Sequence, residues 1–143
     1  VRHSHQTENR KVDLGIAGEN ALVLGGSKGL GFACALELSR AGVRVAINGR
    51  DAQGGAAALN KLGEGAIFVQ GDVAEPGQVA AIVETVQRKL GPIHILVTNA
   101  GGPPPGEFHE HAIEVWRRAI DVNDRKHASW VFVQANRFRK LGR

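Results

Sequence analysis

Several residue types are scarce in this chain of 143 residues, which has no tyrosine, no methionine and a single cysteine. The one cysteine, Cys34, excludes an internal disulfide, so nothing indicates an oxidising compartment. No apolar run approaches the roughly 20 residues that span a bilayer, and the polar start, Val1 to Lys11, is unlike a signal sequence. We therefore predict a cytoplasmic protein that does not enter membranes.

The missing methionine, which includes position 1, predicts that the chain is a translated fragment or begins at a non-standard position. Hydrophobic residues make up 43% of the sequence, which is too much for a disordered chain and enough for the core of one domain. Cys34 falls inside a predicted helix, where we expect it to be a small core residue.

Short apolar runs alternate with helical patterns along the chain. This alternation predicts an α/β fold in which a doubly wound parallel sheet carries helices on both faces. The predicted strands are Ala21 to Leu24, Val43 to Ile47, Ala66 to Val69 and Ile93 to Val97.

Helix boundaries are signalled by glycine, proline and one aspartate. The pattern predicts a first helix from Leu30 to Ala41, stopped by Gly42. Asp51 is expected to cap the second helix, although Gly54 and Gly55 weaken its first turn by roughly 1 kcal/mol each relative to alanine.

The third helix has the clearest pattern, with Pro76 near its first turn and Gly91 and Pro92 as its stop. Its apolar positions recur at helical spacing: Val79, Ile82, Val83, Val86 and Leu90. A stiff loop follows the fourth predicted strand, and from Glu110 to about Arg139 the pattern allows one long helix or two.

A glycine pattern stands between the first predicted strand and the first predicted helix. Gly25 would turn the chain, Gly29 would let backbone approach a pyrophosphate, and Gly31 would let the helix pack closely on the sheet. The phosphates would then lie at a helix N-terminus, where unpaired N–H groups and the helix dipole favour anions. The alternative is a glycine-rich turn with no ligand.

From residue 13 to residue 123 the sequence resembles the short-chain dehydrogenase/reductase family, and within it the 3-oxoacyl-acyl carrier protein reductases. The segment 24–31, LGGSKGLG, is similar to the family's Thr-Gly-x-x-x-Gly-x-Gly, with leucine where threonine is usual. The segment 71–73, GDV, resembles the family's acidic turn, and the segment 98–101, TNAG, resembles its Asn-Asn-Ala-Gly motif. The resemblance implies a Rossmann-like fold and these cofactor-binding residues: Gly25, Ser27, Lys28, Gly29, Leu30, Gly31, Asp72, Val73, Asn99, Ala100 and Gly101.

Charge at the end of the second strand favours NADP over NAD. NAD requires a carboxylate for its ribose hydroxyls, whereas the extra phosphate of NADP requires cations. No acid occupies the strand tip, and Lys28 and Arg50 are both placed to reach a 2′-phosphate. The alternatives are that Arg50 is a solvated surface charge and Lys28 an ordinary loop residue, or that Asp51 meets the ribose.

The family's hydride chemistry uses a tyrosine, a lysine four residues later, a serine and an asparagine. Asn123 matches the catalytic asparagine, but no tyrosine is present, Ser129 follows Asn123 too closely, and Lys140 has no partner. We therefore predict the NADP-binding part of an oxidoreductase, inactive alone, with a carbonyl substrate only if a missing C-terminal part completes the site. The fold is expected to be truncated after the fourth strand and its following helix.

Truncation would leave the fourth strand, Ile93 to Val97, as an apolar sheet edge. Such an edge promotes pairing between chains, so we expect marginal stability and self-association through this edge or the last helix. The predicted organisation is a polar tail over residues 1–12, the cofactor domain over 13–123, and a basic segment over 124–143 that is helical or disordered.

The basic segment leaves other functions open. One is a non-catalytic dinucleotide-binding or protein-interaction module whose tail contacts an acidic partner. Nucleic-acid binding is not favoured, because no recognised motif accompanies the charges. No metal site is predicted, because His109 and His111 are two residues apart and would point to different sides of a helix, and His94 is expected to be a strand residue.

Overall fold

The computed structural model describes residues 13–75, 77–99 and 105–120, and for Phe108 the backbone alone. Its strands are β1 (Asn20–Val23), β2 (Arg44–Gly49), β3 (Ile67–Gln70) and β4 (Ile95–Val97). Its helices are α1 (Gly29–Arg40), α2 (Ala52–Leu62), α3 (Gln78–Leu90) and α4 (Ile113–Ile120), with a single 3₁₀ turn at Phe108–Glu110.

The four strands form one parallel sheet in the order β3-β2-β1-β4. The chain moves outward from β1 to β3 and then crosses back to place β4 on the free side of β1. The predicted Rossmann-like sheet is therefore confirmed. Because the strand order reverses between β1 and β4, a crevice opens at their carboxyl ends, where ligands bind in folds of this kind.

Neighbouring residues of β1 face opposite sides of the sheet, since side chains alternate along a strand. One side carries a buried cluster under α1 and α2, made of Ala21, Val23, Ala35, Val43, Val45, Ile47, Ala58 and Leu62. The other side carries a buried cluster under α3, made of Leu22, Leu24, Ala46, Val69, Ile82, Val83, Val86 and Ile93. Burial on both faces explains why the strands are apolar without alternation.

The prediction for the third helix is confirmed, because Ile82, Val83 and Val86 are its buried residues. The predicted stop also agrees with the structure, where Gly91 has φ of 94°, a conformation that favours glycine. Pro76 lies outside the described residues. The helical spacing of the apolar residues thus predicted the buried face of α3 correctly.

Cys34 is exposed, so the prediction that it belongs to the core is wrong. The residues of α1 that turn toward the sheet are Gly31 and Ala35, which are buried. Cys34 precedes Ala35 by one residue and therefore lies about 100° away around the helix. The sequence therefore located helix α1 correctly, but the prediction placed Cys34 on the wrong face of the helix.

The second helix begins at Ala52 and includes both glycines that weaken its first turn. A Cβ atom at Gly55 would come within 2.5 Å of the Phe68 ring. Glycine at this position therefore permits close packing of α2 on β3, which offsets its low helix propensity. Beyond the 3₁₀ turn, the structure begins α4 at Ile113, and the rest of the predicted long helix lies outside the described residues.

Two asparagines are the buried polar residues of the sheet. At the start of β1, the Asn20 side-chain amide donates to the carbonyls of Leu90 and Pro92, at 2.9 and 2.7 Å. At the end of β2, the Asn48 amide donates to the carbonyls of Val69 and Gly71, at 3.0 and 3.1 Å. Each asparagine thus fixes a neighbouring strand or loop through two main-chain carbonyls.

Candidate functional site

The turn after β1 is shaped by glycines at which a larger residue would be strained or would clash. Gly25 has φ of 57°, which strains any residue with a Cβ atom. A Cβ at Gly31 would lie 2.3 Å from the Gly25 carbonyl oxygen and 2.9 Å from Nδ2 of Asn99. The turn, the first turn of α1 and the end of β4 are therefore packed against each other through glycine.

The N-terminus of α1 is open. Its N-cap residue, Lys28, makes no side-chain capping bond, and the first turn contains no acidic residue. Gly29 has φ of 58°, and a Cβ atom there would meet nothing within 4 Å. Among the described residues, no side chain of the N-cap or the first turn is thus placed to cap these first N–H groups, which is the arrangement that binds anions.

The N-terminus of α2, which follows the next strand, is closed by the protein itself. The two carboxylate oxygens of Asp51 accept from the N–H groups of Gln53 and Gly54, each at 3.1 Å. The predicted cap is confirmed. The carboxylate is engaged with the helix in this geometry, which counts against the alternative that Asp51 meets a ribose.

Asn99 follows β4 and lies beside the glycine turn. Its Nδ2 donates to the Gly25 carbonyl at 3.4 Å, and the Leu24 N–H donates to the Val97 carbonyl at 2.9 Å. The end of β4 is therefore fixed to the turn after β1, as a strand lining the same crevice would be. The neighbouring predicted residues Ala100 and Gly101 lie outside the described residues.

The end of β2 brings Ser27 and Arg50 near the same edge of the sheet. A Cβ atom at Gly49 would lie 2.9 Å from the Ser27 Oγ atom. The strand tip is therefore occupied by a glycine packed close to Ser27, and it carries no acidic side chain. Arg50 is exposed, and its Nη1 lies 3.9 Å from Oδ2 of Asp72.

Asp72 stands in the turn after β3 and is held by its neighbours. Its N–H donates to Oε1 of Gln78 at 2.8 Å, and its Oδ1 accepts from the Ala74 N–H at 2.8 Å. Val73, the next predicted residue, is half-buried and packs against the core cluster under α3. This turn is therefore a fixed part of the crevice edge.

Sequence reasoning missed three polar residues that hold this edge in place: Asn48, Gln70 and Gln78. The Gln70 side chain donates to the Arg50 carbonyl at 2.9 Å, while Asn48 and Gln78 bond the turn around Asp72. Asn48 carried a signal, since it is polar within an apolar strand. The two glutamines carried none, because glutamine at the end of a strand or the start of a helix is common on protein surfaces.

Other predicted positions are placed as follows. Leu30, in the first turn of α1, is 81% exposed, and the catalytic candidate Asn123 lies outside the described residues. His111 packs edge-on to the Trp116 ring, with centroids 6.1 Å apart. Within the described ranges, no group of three histidine, cysteine or acidic residues is placed to hold a metal, and no helix is both long enough and apolar enough to cross a bilayer.

The sheet order, the glycine turn and the open helix end define a dinucleotide-binding type of α/β protein. The model of the short chain dehydrogenase family matches residues 19–130. The chain therefore belongs to the short-chain dehydrogenase family, and the predicted resemblance is confirmed.

Three known proteins illustrate the similarity. A 3-alpha-(or 20-beta)-hydroxysteroid dehydrogenase of Mycobacterium tuberculosis (strain H37Rv) is 33% identical over 108 residues, covering 76% of this chain and 42% of the relative. The 3-ketoacyl-(acyl-carrier-protein) reductase of Brucella melitensis, solved with NADH, is 31% identical with a TM-score of 0.74, over 80% of this chain and 48% of that protein. The L-sorbose reductase of Gluconobacter frateurii, solved with NADPH and L-sorbose, is 30% identical with a TM-score of 0.76, over 83% and 47%.

The chain thus spans less than half the length of these relatives. The matched part carries the glycine turn and the crevice edge described above. Their printed cofactors include both NADH and NADPH, and these cofactors are those of the two reductases.

Proposed function

We propose that this chain provides the NADP(H)-binding part of a short-chain oxidoreductase that interconverts a carbonyl and an alcohol. The observation that carries the proposal is the open N-terminus of α1, next to a turn whose glycines exclude side chains. A pyrophosphate fits there because Lys28 makes no side-chain cap at this end of the helix and a Cβ atom at Gly29 would meet nothing within 4 Å. When bound, the nicotinamide supplies the hydride.

The preference for NADP over NAD rests on the end of β2. No acidic side chain stands at Gly49, where a Cβ atom would already meet Ser27. Asp51, the nearest carboxylate in sequence, caps α2. Arg50 is the exposed cation at this place, and a guanidinium forms strong charge-assisted hydrogen bonds with phosphate.

Lys28 supports the same preference. It is the N-cap residue of α1 and has an extended backbone, with φ of −158°. Together with Arg50 it would place two cations at the adenosine end of the cofactor. Asp72 and Val73 would then line the adenine side, as the family resemblance implies, with Asp72 held in place by Gln78.

Asn123 remains a predicted catalytic residue, and the cytoplasmic location remains a prediction. The relatives named above act on a steroid, a ketoacyl group and a sugar, and we propose the ketoacyl type on the motif resemblance.

The 143 residues contain no tyrosine. We therefore expect the chain alone to bind cofactor without oxidising NADPH in the presence of a ketone.

Arg50→Ala tests the cofactor preference. Calorimetry should show NADPH binding weakened about tenfold or more, since a charge-assisted hydrogen bond contributes about 1.5–3 kcal/mol. NADH binding should change less than about twofold, because NADH lacks the 2′-phosphate. Arg88→Ala, which removes a cation from α3 at a distance from the crevice, is the matched control and should leave both affinities unchanged. Equal losses for NADPH and NADH in Arg50→Ala would contradict the assignment.

Self-association is proposed through β4. Among the described strands, β4 is an edge strand with β1 as its neighbour. Because the Val97 carbonyl accepts from the Leu24 N–H beside β1, the alternating pattern of a parallel ladder directs the N–H and carbonyl of Leu96 to the open side. These groups are available to a second strand.

Leu96→Pro tests this edge, since proline removes the outward N–H while the bonds to β1 remain. Sedimentation velocity should show concentration-dependent association of the native chain and its loss in the variant. Leu96→Ala is the control, because it loses the same packing but keeps the N–H, and should still associate. A native chain that stays monomeric at all concentrations measured would refute the proposal.

A further inference from the structure

The ring of His94 contacts two groups at the start of β1, at the opposite end of the sheet from the glycine turn. Its Nδ1 atom lies 3.1 Å from the main-chain nitrogen of Asn20. The same atom lies 2.5 Å from Oε2 of Glu19. The main-chain N–H of His94 donates to the Asn20 carbonyl at 2.9 Å, which holds the histidine beside the strand.

The two contacts require different forms of the same nitrogen. To accept a hydrogen bond from the Asn20 N–H, Nδ1 must carry a lone pair, as in the neutral ring protonated on Nε2. To bond the Glu19 carboxylate, Nδ1 must carry a proton, as it does in the imidazolium form. Because Nδ1 has either one lone pair or one proton, it serves one partner at a time.

The Asn20 N–H depends on this ring for its acceptor. Asn20 is 1% exposed, so water does not replace a lost partner easily. The carbonyls of Leu90, at the end of α3, and of Pro92 accept from the Asn20 side-chain amide and not from its main-chain N–H. The imidazole is therefore the acceptor that the structure provides for this main-chain donor.

We propose that His94 is a protonation-dependent latch on the first residue of β1. The neutral ring accepts the Asn20 N–H and closes the start of the strand. When the ring is protonated, Nδ1 donates a hydrogen bond to the Glu19 carboxylate instead. The Asn20 N–H then has lost its acceptor, which is unfavourable for a buried group. The state of the latch therefore follows the protonation state of the His94 ring.

The other charged side chains of the elements that meet here are few. Arg44 lies opposite Asn20 on β2, and Arg88 and Lys89 lie in the last turn of α3. Among the described residues, none of these three forms an ion pair with His94 or Glu19. Glu19 is therefore the charged group that accepts a hydrogen bond from the protonated Nδ1.

Nuclear magnetic resonance of the isotopically labelled 143-residue chain tests the latch without any cofactor, so the outcome is independent of the proposed function. At pH 8 the ring nitrogens of His94 should show an unprotonated Nδ1. When the pH is lowered until the ring resonances show that His94 is protonated, the hydrogen-exchange protection factor of the Asn20 amide should drop about tenfold, the equivalent of one ordinary hydrogen bond. The amide of Leu22 in the same strand should keep its protection.

Variants separate the two contacts. Glu19→Gln removes the charge that stabilises the protonated ring, so the loss of Asn20 protection should move to lower pH while protection at pH 8 is kept. His94→Gln should abolish the pH dependence at Asn20, and His109→Gln, which changes a distant histidine, should leave it intact. A protonated Nδ1 at pH 8, or equal pH responses at Asn20 and Leu22 in the native chain, would overturn the proposal even if a variant fails to fold.

Discussion

Helices α1 and α2 begin at the same edge of the sheet, after neighbouring strands, yet their N-termini differ. The first turn of α1 has no side-chain cap and faces free space at Gly29. The first turn of α2 is capped by both carboxylate oxygens of Asp51. Unpaired N–H groups attract any anion, whether a ligand or the protein's own carboxylate. The comparison therefore teaches that a binding site at a helix end requires the absence of a cap.

The largest expected effect comes from breaking the packing that shapes the open end. Gly31→Ala places a Cβ atom 2.3 Å from the Gly25 carbonyl oxygen, and we expect it to lower the free energy of unfolding by about 3 kcal/mol or more. Chemical denaturation measures this loss. Cys34→Ala, on the exposed side of the same helix, is the control and should change stability by less than about 0.5 kcal/mol.

A smaller effect is expected when the open end of α1 is made to resemble that of α2. Lys28→Asp introduces a capping carboxylate at the N-cap position, which should raise the stability of the cofactor-free chain by about 0.5–1 kcal/mol. The same carboxylate should weaken NADPH binding at least about tenfold, because it competes with phosphate for the N–H groups and repels it. Calorimetry and thermal unfolding measure the two effects.

The control for this change is Lys28→Ala, which removes the cation without supplying a cap. It should weaken NADPH binding less than Lys28→Asp does, and it should not raise stability. Equal binding losses in the two variants would mean that the cofactor phosphates do not lie at the N-terminus of α1.

The smallest expected effect on cofactor binding comes from opening the closed end. Asp51→Ala removes the cap of α2 and should cost about 1 kcal/mol of stability, while Asp51→Asn, which still accepts hydrogen bonds, should cost only a few tenths. Neither variant should change NADH or NADPH affinity by more than about twofold. A clear loss of NADH affinity in Asp51→Ala would restore the hypothesis that Asp51 holds the ribose.

The elements of the fold were predictable because apolar patterning and turn residues are local signals. The strand bounds differ from the predicted ones by one or two residues, as β1 shows: Asn20–Val23 against the predicted Ala21 to Leu24. The buried face of α3 and the cap at Asp51 agree with the structure. Cys34 shows the limit, because a helix with many small residues does not mark its inner face by hydropathy alone.

The candidate site was predictable in its glycines and less so in its supports. Gly25, Gly29 and Gly31 follow a spacing that has a physical meaning within one strand, turn and helix. The bond from Asn99 to Gly25 joins residues 74 positions apart. The contacts between Arg50 and Asp72 and between Gly49 and Ser27 also join different strands or loops, and no local pattern shows them.

The sequence by itself determined the order of strands and helices, the glycine turn and the lack of an acidic residue at the end of β2, because these depend on neighbours along the chain. Only the tertiary structure decided that Cys34 faces outward and that one nitrogen of His94 meets both Asn20 and Glu19. Those outcomes depend on packing and on competition between acceptors, which arise when distant segments come together.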